Sequence, residues 1–151
     1  MKRFFIKTYV SVFGLGYMPV APGTFGTLGA FFIWAGLLRG MDPFWYLVVT
    51  VSLIALSCYI ATLAERVYQV KDSQHIVIDE VCGYLVTMFF AGNSLFIGFL
   101  GFALFRLFDI FKPWPVKRLE RLYGGAGVVM DDVMAGVYGF LVLRVLSFFV
   151  G

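Results

Sequence analysis

Apolar residues run along most of this chain, and the short polar breaks between them define its elements. The first clear apolar run is Phe25 to Leu38, reached through PVAPGTFGT and closed by Arg39-Gly40-Met41-Asp42-Pro43. Asp42 suits an N-cap, and Pro43 suits the first position of a helix predicted over Phe44 to Ala64. That helix is near the ~20 residues needed to cross a bilayer. Trp45 and Tyr46 stand at its start, where an interfacial aromatic belt falls. After the polar loop ERVYQVKDSQH come two more apolar runs, Ile76 to Ala91 and Ser94 to about Phe111, joined by a turn at Gly92-Asn93. KPWPVKRLERLYGG predicts a short surface helix, and Val128 to Val150 is the last span. The runs flanking Gly92-Asn93 are short and fit either two tilted spans or a re-entrant hairpin. Two spans is the reading adopted. It gives an all-α integral membrane protein, a compact bundle of about five transmembrane helices forming one domain over residues 1–151.

Composition strengthens the membrane reading. The chain is 61% hydrophobic with a mean hydropathy of +0.90, against roughly 45–50% apolar in soluble domains. A net charge of +3 with no basic face free of apolar runs argues against nucleic acid as a partner. Nothing in the sequence implies an obligate protein partner. Cys58 and Cys82 lie in different apolar runs without metal-ligand or CxxC spacing, so they read as small core residues. Lys7 interrupts any hydrophobic leader, and no A-x-A site follows, so no cleaved signal peptide is expected. With five spans, Lys2, Arg3, Lys7, Arg66, Lys71, Arg106, Lys112, Lys117, Arg118 and Arg121 share one side, and only Arg39 and Arg144 fall on the other. The positive-inside rule then places the N-terminus and the polar loops in the cytoplasm.

The acids carry the chemistry. Six of the nine lie in or beside three polar breaks: Asp79 and Glu80 in IDEVCG, Asp109 in FRLFDIFKPWP, Asp131 and Asp132 in GGAGVVMDDVMAG, and Glu120 in the linker after the second. Carboxylates at the mouth of a membrane bundle are expensive to desolvate and mark function. Clustered hard oxygen ligands suit Mg²⁺ or a related divalent ion. Gly83, Ala135, Gly136 and Gly139 form small-residue stripes beside the acids, which lets helices approach until the carboxylates converge. The competing reading is N-capping by first-turn acids. Arg106, Asp109 and Lys112 recur at intervals of three and share a face if the helix persists, with charge for phosphoryl oxygens. An intrahelical salt bridge with snorkelling cations is the alternative. PVAPGTFGTLGA reads as a Gly/Thr-rich loop at a helix start. Its backbone N–H groups and the hydroxyls of Thr24 and Thr27 are candidates to bind phosphate, against a simple turn and cap. It lacks the P-loop lysine. His75 is the only histidine and reads as a loop residue; no covalent phosphohistidine or phosphocysteine motif is present. Two function classes follow: a metal-dependent enzyme acting on a phosphorylated membrane substrate, or an ion-coupled transporter or channel. The acids gather at one mouth instead of along a path, which favours the enzyme.

Taken together, MPVAPGTFGT, IVIDEVCG, FRLFDIFKPWP and GGAGVVMDDVMAGVYG resemble the phosphatidylglycerophosphatase A family, in order from about Gly14 to Gly139. The resemblance implies a Mg²⁺-dependent phosphatase of the bacterial inner membrane, with its active site facing the cytoplasm. It would convert phosphatidylglycerophosphate to phosphatidylglycerol in phospholipid biosynthesis. By the same resemblance the functional positions are Asp79, Glu80, Arg106, Asp109, Lys112, Asp131 and Asp132, with the first motif matching at Pro22, Gly23, Thr24, Gly26 and Thr27. The five acids are the expected metal ligands and catalytic carboxylates, and Arg106 and Lys112 the expected phosphate contacts. A CDP-alcohol phosphotransferase is excluded by the absence of its contiguous acidic motif.

Overall fold

The computed structural model describes residues 2–150, with side chains through Phe148. Seven α-helices follow in order: α1 (Lys2–Val10), α2 (Pro22–Ile33), α3 (Pro43–Tyr68), α4 (Ile78–Thr87), α5 (Leu95–Phe111), α6 (Val116–Leu119) and α7 (Gly125–Val150). The described residues contain no strand. α2 runs on through a π-helical turn, Trp34–Leu38.

Local chemistry sets most boundaries. The Asp42 carboxylate accepts the Phe44 N–H at 2.9 Å and Pro43 opens α3, as the spacing predicts. α3 ends where Gln69 turns left-handed. α5 stops at Lys112, also left-handed, just ahead of Pro113. α6 is the short helix expected after α5, and Gly92 makes the expected turn before α5. Two features depart from expectation. α1 is an additional N-terminal helix, pinned at its end by a 2.8 Å bond from the Val77 N–H to the Val10 carbonyl. Tyr46 is buried and donates its hydroxyl to the Leu85 carbonyl at 2.8 Å, so only Trp45 of that pair faces outward.

The ten-residue α4 is the centre of the bundle. Ile78, Val81, Tyr84 and Leu85 are all buried, and α2, α3, α5 and α7 pack around it. The tightest contact is with α7. A Cβ on Gly136 would fall 2.2 Å from the Gly83 carbonyl oxygen, and one on Gly83 would fall 2.6 Å from the Asp132 carbonyl oxygen. The small-residue stripes therefore do bring these two helices together.

α3 and α7 are long and apolar enough to cross a membrane. Only 22% of the apolar window of α3 is buried. A soluble core helix of that composition would be enclosed, whereas Leu47, Val51, Leu56 and Tyr59 point outward onto a surface suited to lipid. The other helices are shorter than a full span. At 1.5 Å per residue α4 reaches about 15 Å, half of a ~30 Å hydrocarbon core. The apolar run expected as one span from Ile76 to Ala91 thus contains a shorter central helix, which ends at Thr87 before the chain turns through left-handed Phe90.

The start of α2, the starts of α4 and α7 and the end of α5 meet at one end of the bundle. At the other end Arg144 donates to the Phe90 carbonyl at 3.2 Å, and Gly40 packs against Asn93.

Candidate active site

The converging helix ends enclose a cavity of about 420 Å³. Its wall contains all five sequence-predicted acids and both predicted cations. α4 supplies Asp79 and Glu80 from its first turn, α5 supplies Arg106 and Asp109, its C-cap supplies Lys112, and α7 supplies Asp131 and Asp132. Residues up to 53 positions apart are brought together because glycines remove the obstacles. Gly23, in the first turn of α2, is one of them: a Cβ there would lie 2.2 Å from Glu80 Oε1 and 3.2 Å from an Arg106 guanidinium nitrogen.

Asp79, Glu80 and Asp132 each present a carboxylate oxygen, and the three lie within 4.8 Å of one another. Oxygens sharing one octahedral Mg²⁺ stand roughly 3.0 Å apart when adjacent and roughly 4.2 Å apart when opposite, so the three would have to draw closer together to share such an ion. Asp109 sits against Asp132 and also accepts a 2.6 Å hydrogen bond from Arg106. The same guanidinium nitrogen lies 3.9 Å from Glu80 Oε1. Lys112 donates to Asp131 at 2.8 Å and also pairs with Glu120. Several polar atoms remain buried without a protein partner: Glu80 Oε2, Asp131 Oδ1 and Arg106 Nε. Buried polar groups are costly unless paired, and an acid-rich wall with open carboxylate oxygens is suited to a cation. Six acids in the wall, Asp72 among them, against two cations leave an excess of acidic groups for such an ion to offset.

Burial alone would pull the Lys112 ammonium down, but its hydrogen bonds to Asp131 and Glu120 outweigh that and hold it above the ordinary lysine range. It is therefore charged at neutral pH.

Thr24 and Thr27 do not line this cavity. The expected Gly/Thr loop is already helix, because Pro22 starts α2 directly. Thr27 is buried and spends its hydroxyl on the Gly23 carbonyl at 2.9 Å, so it cannot serve as a phosphate donor here. What the first motif does contribute to the wall is Ala21, Pro22 and Gly23. His75 lies elsewhere, stacked between Tyr17 and Tyr68, with its Nδ1–H donated to the Gly16 carbonyl at 3.0 Å.

One wall residue was not foreseen. Asp72 enters from the loop between α3 and α4. Although partly exposed, it is crowded enough by the cavity wall for burial to raise its carboxyl above the ordinary range; Lys112 opposes this shift and Glu120 adds to it. Its only sequence signal is an acid inside a polar loop, which is indistinguishable from a solvated turn. Ala21, Asp72 and Lys112 also share a left-handed backbone, unusual for residues with a Cβ and typical of functional sites.

A cluster of hard carboxylate ligands beside an arginine and a lysine, at one mouth of an apolar helical bundle, defines a site able to hold a divalent cation and a phosphate together. The family model for phosphatidylglycerophosphatase A matches residues 8–147. A phosphatidylglycerophosphatase A of Escherichia coli is 32% identical over 137 residues, covering 83% of this chain and 73% of its own. The protein of that name from Haemophilus influenzae is 32% identical over 147 residues, covering 90% and 85%. A Bacteroides thetaiotaomicron protein, provisionally named a phosphatidylinositol-3-phosphatase, is 36% identical over 146 residues, covering 92% and 91%. No solved structure matches the chain. The chain belongs to the phosphatidylglycerophosphatase A family.

Proposed function

We propose that this protein hydrolyses the terminal phosphate monoester of phosphatidylglycerophosphate to phosphatidylglycerol and inorganic phosphate, with Mg²⁺ as cofactor. Family membership and the convergence of Asp79, Glu80 and Asp132 beside Arg106 and Lys112 support the reading, and the convergence carries it. The whole chain acts as one domain in the bacterial inner membrane, multi-pass, with the cavity facing the cytoplasm. The excess of Lys and Arg at the cavity end supports that orientation. The shorter α2, α4 and α5 complete a bundle of about five membrane-inserted segments around the two long helices.

Asp79, Glu80 and Asp132 hold the cation, with Asp109 and Asp131 next to them. Mg²⁺ bound there supplies Lewis-acid polarisation and a more acidic water. Arg106 and Lys112 face the phosphoryl oxygens and offset their charge as it shifts during P–O cleavage. A carboxylate not engaged with the cation accepts the proton of the attacking water, and the glycerol oxygen leaves with a proton. The acyl chains stay in the bilayer while the headgroup enters the cavity.

The test is phosphate release by the purified protein from phosphatidylglycerophosphate, with and without Mg²⁺, and from phosphatidylinositol 3-phosphate, the lipid suggested by the Bacteroides relative's name. Release from the first lipid that stops on chelation is expected. Asp79→Asn, Asp109→Asn and Asp131→Asn should each abolish it without unfolding the protein. Wild-type turnover in all three variants would defeat the site assignment, and preference for the inositol lipid would defeat the substrate assignment.

A further inference from the structure

Lys112 occupies an unusual position. It caps α5 at φ 43, ψ 63, a left-handed site where glycine is the common residue. The side chain in return reaches the cavity and is held from two sides. Asp131, buried on α7, accepts one hydrogen bond at 2.8 Å, and Glu120 accepts another from the linker eight residues downstream. An ammonium has three N–H donors, so two tethers leave one free.

Glu120 is more exposed than Asp131, yet its backbone is clamped. Lys71 reaches its carbonyl oxygen at 3.5 Å. Gly127 lies so close that a Cβ there would fall 2.9 Å from the Glu120 carbonyl oxygen and 2.5 Å from that of Leu122. The linker is thus seated on the start of α7, one turn before Asp131, which places the Glu120 backbone where its carboxylate meets Lys112.

We infer that Glu120 is a positioning residue for the proposed reaction: with Asp131 it aims the third Lys112 N–H at a phosphoryl oxygen of the substrate. This rests on the phosphatase reading above. A charge-assisted bond at a partly exposed site contributes modestly. Glu120→Ala should therefore raise KM for phosphatidylglycerophosphate about two- to fivefold, and weaken inorganic phosphate binding, measured calorimetrically without turnover, by a similar factor. Glu120→Gln keeps an acceptor and should lose less; it carries the experiment if the alanine variant does not fold. The decisive comparison is in a Lys112→Ala background, where replacing Glu120 should have no further effect on either quantity. An equal loss in both backgrounds, or a lower KM for Glu120→Ala, would overturn the inference, the latter by making Glu120 a competitor of phosphate. If the wild type releases no phosphate from the lipid at all, the functional reading fails first and takes this one with it.

Discussion

Gly136→Ala tests whether the packing of α4 on α7 sets the site. The added methyl would lie 2.2 Å from the Gly83 carbonyl oxygen. A carbon–oxygen contact settles at roughly 3.3 Å, so the helices must part locally by about 1 Å. The obstacle is backbone, so no side-chain rotation relieves it. Gly136 lies one turn beyond Asp132, while Gly83 lies one turn beyond Asp79. The separation therefore falls directly behind the carboxylates that lie within 4.8 Å of one another. Overpacking of this kind costs about 1–3 kcal/mol of stability. A displacement near 1 Å at a reacting centre costs on the order of 10²-fold in rate. The assay is phosphate release from lipid in detergent micelles across a Mg²⁺ titration. The variant should need more Mg²⁺ for half-maximal rate and should turn over about 10- to 100-fold more slowly at saturation. Gly36→Ala is the control, because nothing lies within 4 Å of where its Cβ would stand. Wild-type rate and Mg²⁺ dependence in Gly136→Ala would refute the idea that this contact fixes the ligand geometry.

Three further outcomes are expected. Arg106→Lys should lose activity by roughly tenfold or more while inserting normally, because an ammonium cannot reproduce a guanidinium that holds Asp109 and, on the proposed reading, also meets a phosphate; full activity would make Arg106 a structural cation. Asp72 carries a raised carboxyl, so its ionisation penalises the fold above the unfolded value near ~3.9, increasingly as pH rises through the folded one. Asp72→Asn should accordingly melt no lower than wild type at pH 7, with any gain vanishing in acid, and a clear loss at pH 7 would contradict the sign of the shift. With Cys58 and Cys82 replaced, a cysteine at exposed Asn93 should react with an impermeant thiol reagent in intact cells and one at exposed Arg121 should not; the reverse pattern would invert the orientation.

The acids were legible in the sequence because charge in an apolar chain is conspicuous, and their convergence was legible because glycine and alanine recur one turn after them. Arg106, Asp109 and Lys112 were legible as a group from their spacing, although Lys112 reaches the cavity from a left-handed cap and not from the helical face that spacing implies. Thr24 and Thr27 misled because a Gly/Thr-rich string reads as a loop, whereas Pro22 at the first position starts a helix and turns Thr27 back on its own backbone. α1 was missed because Lys2, Arg3 and Lys7 break its apolar run. Asp72 was missed because its role depends on a tertiary contact across the cavity that no local pattern encodes. Of the five expected spans, only α3 and α7 among the described residues are long and apolar enough to cross a membrane, because apolar content reports burial equally well against lipid or against protein, and α4 is buried against protein.

The placement of α4 at the centre of the bundle has a consequence for assembly. Its acids become a site only when α2, α5 and α7 have closed around them, and α7 is the last of these in chain order. A nascent chain that has inserted everything before α7 holds Asp79 and Glu80 in a half-built vestibule open to water, without Asp131 or Asp132 to complete a ligand set. On the proposed reading, metal capture by Asp79, Glu80 and Asp132 would then have to wait for α7, and a bound ion would act as a clasp between α7 and α4.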